Sequence, residues 1–269
     1  METGKQPILW HIAVSHFSEK ARWALEYKSV EHERRAPPPG LHMPIAYMLS
    51  RGRAITFPVL ELDGRRIADS TAIIAALEQR YPEPALYPQD AGERQHALEL
   101  EDFFDEQLAP YVRRLVFHEL RAEPELSREI MTRAAPEAAA RAGRTLVPTM
   151  RFFVGRRYRS RDAAGAEHAR AKILAALDRL ERELGDEEYL VGERFTVADL
   201  TAAALLYPLV LPPEGPPFIE RMPAPYERFR DGIRERASYA WVQRIFAGHR
   251  RPERYTSSST PIGIPVVNQ

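Results

Sequence analysis

Apolar residues run almost without interruption from Ile8 to Val14, and from Glu19 to Lys28 they recur at helical spacing as Ala21, Trp23, Ala24, Leu25 and Tyr27. The first pattern predicts a buried strand and the second a helix packed on it. Glu31 to Ala36 predicts a second strand, closed by a turn at Pro37-Pro38-Pro39-Gly40. A short helix is expected over Pro44 to Leu49. Phe57 to Leu62 then reads as a strand, Asp63-Gly64 as a two-residue turn, and the residues after it as a second strand. Asp-Gly between short apolar runs predicts an antiparallel hairpin, because a type I′ turn needs positive φ at both central positions. A helical run from Thr71 to Arg80 closes this part of the chain.

The resulting order, β-α-β-α-β-β-α, is that of a thioredoxin-like domain. Pro82, Pro84 and Pro88 then punctuate a linker over roughly 81–90. Beyond it Leu98, Phe103, Leu108, Tyr111, Val112 and Leu115 keep helical spacing, with Asp102, Asp105 and Glu106 on other faces. Ile173, Leu174, Leu177, Leu180 and Leu184 repeat the pattern in a helix that stops at Gly185. The fold class is therefore α+β followed by all-α. A thioredoxin-like N-terminal domain over 1–84 precedes an all-helical C-terminal domain over 85–255, and 256–269, with three consecutive serines and two prolines, reads as a mobile tail.

Charge and composition narrow the function. Lys plus Arg and Asp plus Glu both number 38 in 269 residues, so no long-range field selects nucleic acid. The basic run Arg151 to Arg161, interleaved with Phe152, Phe153 and Tyr158, reads as a solvated helix face with core aromatics in preference to a nucleic-acid contact. Leu200 to Leu211, interrupted by Thr201 and Pro208, is too short to span a bilayer, and no basic-then-apolar leader opens the chain, so a cytoplasmic protein is expected. There is no cysteine, which excludes disulfides, thiolate metal sites and a thiol nucleophile carried by the protein. Sulfur chemistry would have to come from a bound ligand. The eight histidines show no metal-site spacing, and neither a phosphate-cradling loop nor a nucleophile elbow occurs. No metal is expected.

The stretch from Phe57 to Ile73 reads as half of a thiol-binding site. Pro58 lacks an amide hydrogen and belongs at a strand start or after a cis peptide bond, where the Phe57 backbone can pair with an extended ligand. Asp69 and Ser70 open a helix whose free amides and Ser hydroxyl can hold a carboxylate, while the Asp accepts from an ammonium group. A γ-glutamyl head group carries both charges. The pair also suits a plain helix cap. Ser15 stands between the first strand and the first helix, where a hydroxyl can donate to a ligand sulfur and the helix dipole favours a thiolate. Ser18 is the alternative donor, or else simply the N-cap of that helix.

These motifs resemble those of the cytosolic glutathione transferase superfamily. Ser15-His16-Phe17-Ser18, with Glu19 to Leu25 behind it, is similar to the loop and helix where Ser- and Cys-type members keep their catalytic residue. Phe57-Pro58-Val59-Leu60 resembles the family's cis-Pro motif, and Ala68-Asp69-Ser70-Thr71-Ala72-Ile73 its acid-Ser motif. Tyr189 to Leu200 resembles its N-capping box and hydrophobic staple, in which Thr196 caps, Asp199 reaches back and Phe195 packs on the new helix. The resemblance implies glutathione as co-substrate, a homodimer, and a thiolate that attacks a small apolar electrophile. It equally admits isomerisation, dehalogenation or peroxide reduction by the same thiolate.

On that reading Ser15 or Ser18 stabilises the thiolate, and Phe57, Pro58, Asp69 and Ser70 bind the peptide. Thr56 stands where several relatives carry a Gln, with Arg53 as a compensating contact. Tyr111, Leu115 and Phe104 are expected to wall the electrophile cleft. His16, where relatives often have Pro, reads as a solvent-facing loop residue that in its charged form would assist a thiolate. The alternative is a non-catalytic binding protein on the same fold, for which Thr56, His16 and the extended 120–165 segment leave room.

Overall fold

The computed structural model describes residues 5–38, 41–133, 162–216, 221–251 and 255–257, with side chains given for all but 131–133 and 255–257. The basic run at 151–161 and the tail beyond 257 lie outside the described residues.

The N-terminal part runs β1 (Ile8–Trp10), α1 (His16–Tyr27), β2 (His32–Arg35), α2 (His42–Leu49), β3 (Val59–Leu62), β4 (Arg65–Ala68) and α3 (Ser70–Arg80), in the order expected. Asp63 and Gly64 have φ of 47° and 76°, the pair of positive values the hairpin turn demands. The helical part comprises α4 (Ala91–Gln107), α5 (Ala109–Leu120), α6 (Pro124–Arg133), α7 (Ala163–Leu184), α8 (Val197–Val210), α9 (Ala224–Ile233) and α10 (Ala237–His249). The Leu98 to Leu115 pattern is thus two helices that meet at Leu108.

Tyr255–Ser257 forms a further strand, β5, and the sheet order is β4-β3-β1-β2-β5. β5 pairs parallel to β2, with Glu33 level with Thr256. This corrects the expectation of a tail starting at residue 256: Thr256 and Ser257 belong to the N-terminal sheet, held by backbone bonds that need no apolar run.

Helix α8 forms the centre of the helical domain, and all of its fourteen residues are buried. Its N-terminus carries the expected capping box. Asp199 Oδ2 accepts from the Thr196 amide at 2.8 Å and Oδ1 from the Leu190 amide at 2.8 Å, while Thr196 Oγ1 accepts from the Ala198 amide at 3.3 Å. Burial pushes the Asp199 carboxyl up to about 6 against the pull of these donors. At the other end the carbonyls of Pro208, Leu209 and Val210 receive Tyr226 Oη–H, the Arg230 guanidinium and Tyr239 Oη–H, which satisfy groups the helix leaves open.

Helix α1 is enclosed on nearly every side and packs against both α8 and α3. Trp23 is fully buried, with ring centroids 4.4 Å from Phe246 and 5.8 Å from Phe195. The staple residue Phe195 therefore reaches across to the first domain. The charged residues Glu19, Lys20, Arg22 and Glu26 of α1 are buried too, and each has an ionic partner.

Candidate thiol-binding site

Strand register brings the predicted residues together. Trp10 is level with Val59, and Val59 with Ala68, across three antiparallel neighbours. One step beyond this level stand His11 leading to Ser15, Pro58 preceding β3, and Asp69 following β4. The first-helix loop, the Pro motif and the acid-Ser motif thus emerge from one end of the sheet.

Ser15 is the N-cap of α1, which begins at His16, three residues before the expected start. Its Oγ accepts from the Ser18 amide at 3.3 Å, which leaves the half-buried hydroxyl its own proton to donate. Ser18 is not the cap. It is fully buried, and its Oγ accepts from the Ile12 amide at 3.2 Å, so it shapes the loop from beneath. Each serine hydroxyl thus accepts from a different amide, and of the two only Ser15 is incompletely buried.

His16 departs from its expected role. It is buried in the first turn of α1, its ring centroid 4.7 Å from that of Phe17, and Nε2 has no hydrogen-bond partner. Burial, reinforced by the Arg113 charge, drives its pKa down to about 3, so it is a neutral imidazole and not a solvent-facing cation. Arg113 of α5 stands with its guanidinium 5.3 Å from the Phe17 ring centroid. Phe104 and Leu115, expected as cleft walls, are both fully buried core residues; Tyr111 is half-buried and packs edge-on against His168. Helical spacing identified the apolar faces, but not which of them turn toward the loop.

The Phe57-Pro58 peptide bond is cis. The Phe57 ring is buried and stacks on Trp10 at 6.5 Å, and the Trp10 indole N–H donates to Glu61 at 2.8 Å. Thr56 and Arg53 are exposed on the loop ahead of them.

Asp69 caps α3, its Oδ1 accepting from the amides of Thr71 at 2.9 Å and Ala72 at 3.2 Å. The helix starts at Ser70, one residue earlier than expected, and Ser70 is 2% exposed. Asp69 itself is exposed and has φ 83° and ψ 135°. A non-glycine residue in this region carries strain of about 1–3 kcal/mol, and such strain collects at binding sites. Its carboxylate closes the cap with one oxygen and leaves Oδ2 outside it.

A buried cluster that local pattern did not reveal stands behind α3. Lys20 Nζ lies 2.7 Å from Glu101 and 2.5 Å from Asp105, and donates to Thr71 Oγ1 at 2.9 Å. Thr71 Oγ1 donates in turn to Asp105 at 2.6 Å. Burial opposes the Lys20 charge, but the two carboxylates outweigh it and hold its pKa above the ordinary lysine value. Asp105, assigned by spacing to another face, thus faces the first domain and pins the start of α3. The i, i+4 pair Glu101–Asp105 set on one face is the signal that marks it.

The loop ahead of Ser15 has its own support. Arg22 Nη1 donates to His11 Nδ1 at 2.8 Å and Nη2 to the Ala13 carbonyl at 2.9 Å. An arginine only donates, so His11 Nδ1 accepts and the ring is neutral; burial and the Arg22 charge hold its pKa well below the ordinary histidine value.

A thioredoxin-like domain joined to a helical domain, with these motifs at one end of the sheet, defines a family. The glutathione S-transferase N-terminal domain matches residues 9–85 and the glutathione S-transferase C-terminal domain matches 162–244; the chain belongs to the glutathione S-transferase superfamily. Among solved structures it is similar to a beta-etherase from Sphingobium sp., at 20% identity and TM-score 0.59, with 88% of this chain and 98% of that one covered. A rice GST in complex with glutathione gives 22% identity and TM-score 0.59, with 90% and 86% covered. A Methylobacterium radiotolerans glutathione S-transferase in complex with glutathione sulfonate gives 23% identity and TM-score 0.53, with 95% and 98% covered. These likenesses establish the fold. No match was found among curated protein sequences. Among the described residues no helix is long and apolar enough to cross a membrane, and no group of acidic or histidine side chains is arranged to hold a metal.

Proposed function

We propose that the protein is a glutathione-dependent transferase. The supporting observation is the common strand level of His11, Pro58 and Asp69, which brings the loop leading to Ser15, the Pro motif and the acid-Ser motif out at one end of the sheet and offers a donor, an extended edge and a charged cap to one tripeptide. The cysteine backbone of glutathione lies along Phe57-Pro58. The γ-glutamyl carboxylate meets Ser70 at the N-terminus of α3, and its ammonium meets Asp69 Oδ2. Thr56 and Arg53 contact the peptide from the loop ahead of Pro58. The sulfur then sits near the Ser15 hydroxyl and the N-terminus of α1, both of which favour its ionised form.

The thiol proton leaves to solvent. The thiolate forms a carbon–sulfur bond with a small apolar electrophile, whose leaving group departs with the electron pair of the broken bond. Proximity and fixed dipoles supply the acceleration. The same thiolate also serves isomerisation, dehalogenation or peroxide reduction, and a homodimer belongs to the same reading.

Isothermal titration of the full chain with glutathione tests the proposal, together with turnover of a generic aromatic electrophile. Saturable binding with turnover is expected. Binding without turnover on any electrophile or peroxide favours a non-catalytic relative, and no saturable binding refutes the site.

A further inference from the structure

Arg250, the C-cap of α10, lies far in sequence from the candidate site yet adjoins its supports. Its side chain is 1% exposed. Nε donates to Glu19 Oε1 at 2.7 Å, and Nη1 pairs with Glu26. The other oxygen of Glu19, Oε2, accepts from Arg22 Nε at 2.8 Å and lies 2.7 Å from its Nη2. Arg22 uses the rest of its fork on His11, the Ile12 carbonyl at 3.4 Å and the Ala13 carbonyl. Those three residues are the loop that delivers Ser15. Burial opposes the Glu19 charge, but Arg22 and Arg250 outweigh it and hold its pKa below the ordinary carboxylate value. The end of α10 is docked at this point by a second contact, the Trp23 indole N–H donating to the His249 carbonyl at 3.2 Å.

We infer that Arg250 is a positioning residue for the Ser15 hydroxyl, acting through Glu19 and the Arg22 fork. Its role in thiolate stabilisation rests on the proposed function; its role in holding the loop does not. A carboxylate shared by two guanidinium groups is fixed from both sides. With Arg250 removed, Glu19 keeps Arg22 alone and is free to turn with it, and the His11, Ile12 and Ala13 contacts loosen together. Asp69 and Ser70, on the far side of the sheet end, are held by α3 and the Lys20 cluster and do not depend on this chain of contacts.

The experiment compares full-length wild type with Arg250→Met, which keeps stem length, and Arg250→Lys, which keeps charge but cannot divide a planar fork between Glu19 and Glu26. Hydrogen exchange without ligand is expected to accelerate about tenfold or more at the Ser15 and Ser18 amides of Arg250→Met, while those of Thr71 and Ala72 stay unchanged. With glutathione bound, the thiol pKa is expected to rise by about one unit and kcat at neutral pH to fall about tenfold, with the glutathione Kd within about twofold of wild type. Arg250→Lys is expected to fall between the two. Arg22→Lys is expected to give the same signature, and the Arg22→Lys/Arg250→Met double variant no more than the larger single effect.

Unchanged exchange at Ser15 and Ser18 in a folded variant, or equal acceleration at Thr71 and Ala72, overturns the inference. If Arg250→Met does not fold, Arg250→Lys carries the same comparison. Loop exchange that accelerates in Arg250→Met while the wild-type protein binds no glutathione would uphold the brace and refute the proposed function.

Discussion

Replacing Ser15 perturbs two things at once, and their sizes can be separated. The hydroxyl caps α1 through the Ser18 amide at 3.3 Å. Its loss in Ser15→Ala is expected to destabilise the fold by about 1 kcal/mol, whereas glycine at an N-cap costs only a few tenths. The proton of the same hydroxyl is the donor proposed for the thiolate, a charge-assisted bond of about 1.5–3 kcal/mol. That bond favours the ionised sulfur over the thiol, so its loss raises the pKa of the bound thiol by about one to two units. Ser15→Ala and Ser15→Gly should therefore differ in melting temperature yet share one displaced titration, with rates at neutral pH down about tenfold or more. Ser18→Ala should instead lose stability, because it leaves the Ile12 amide without its acceptor. The assay is ultraviolet titration of the thiolate in each glutathione complex, alongside thermal melts. An unshifted titration in both Ser15 variants would refute the hydroxyl's role and leave the backbone amides of α1 as the stabilising groups.

Asp69→Ala should weaken glutathione binding about 10- to 100-fold by calorimetry; Asp69→Gly should do the same but melt near wild type, since it relieves the φ of 83° while giving up little of the cap. Thr196→Ala and Asp199→Ala should lower the melting temperature and leave glutathione affinity per folded molecule unchanged, because Asp199 satisfies the Leu190 and Thr196 amides inside the helical domain. His16 titrates at about 3 when folded against an ordinary value of 6.5, so the unfolded chain binds its proton first as pH falls. Its contribution is fully present above about 6.5 and is lost at up to about 1.4 kcal/mol per pH unit down to about 3, a slope that denaturant titrations should find reduced in His16→Gln.

The parts of this molecule that obey local rules were legible in its sequence. Asp63-Gly64 dictates its own turn, Thr196 and Asp199 their own cap, and Pro58 its strand start. The two serines of Ser15-His16-Phe17-Ser18 both suit a cap, and choosing between them required knowing that β1 stops at Trp10 and not at Val14. The charges of α1 were opaque for a different reason. Glu19, Lys20 and Glu26 look solvated in any window of the helix, because their partners Arg250, Glu101, Asp105 and Arg34 come from other elements. β5 was hidden because Tyr-Thr-Ser pairs through its backbone and has no apolar alternation to reveal it.

That fifth strand sets an order of events during synthesis. The four strands and three helices of the first domain leave the ribosome early, yet β2 then carries an open edge of unpaired amides and carbonyls, and Glu19 and Glu26 lack the guanidinium of Arg250. Both deficits last until the entire helical domain has been made. The nascent first domain is therefore a platform with one edge uncovered, open to annealing with other chains. Completing it is the task of Arg250 and Tyr255–Ser257, which lets the N-terminal half report on whether the C-terminal half has arrived.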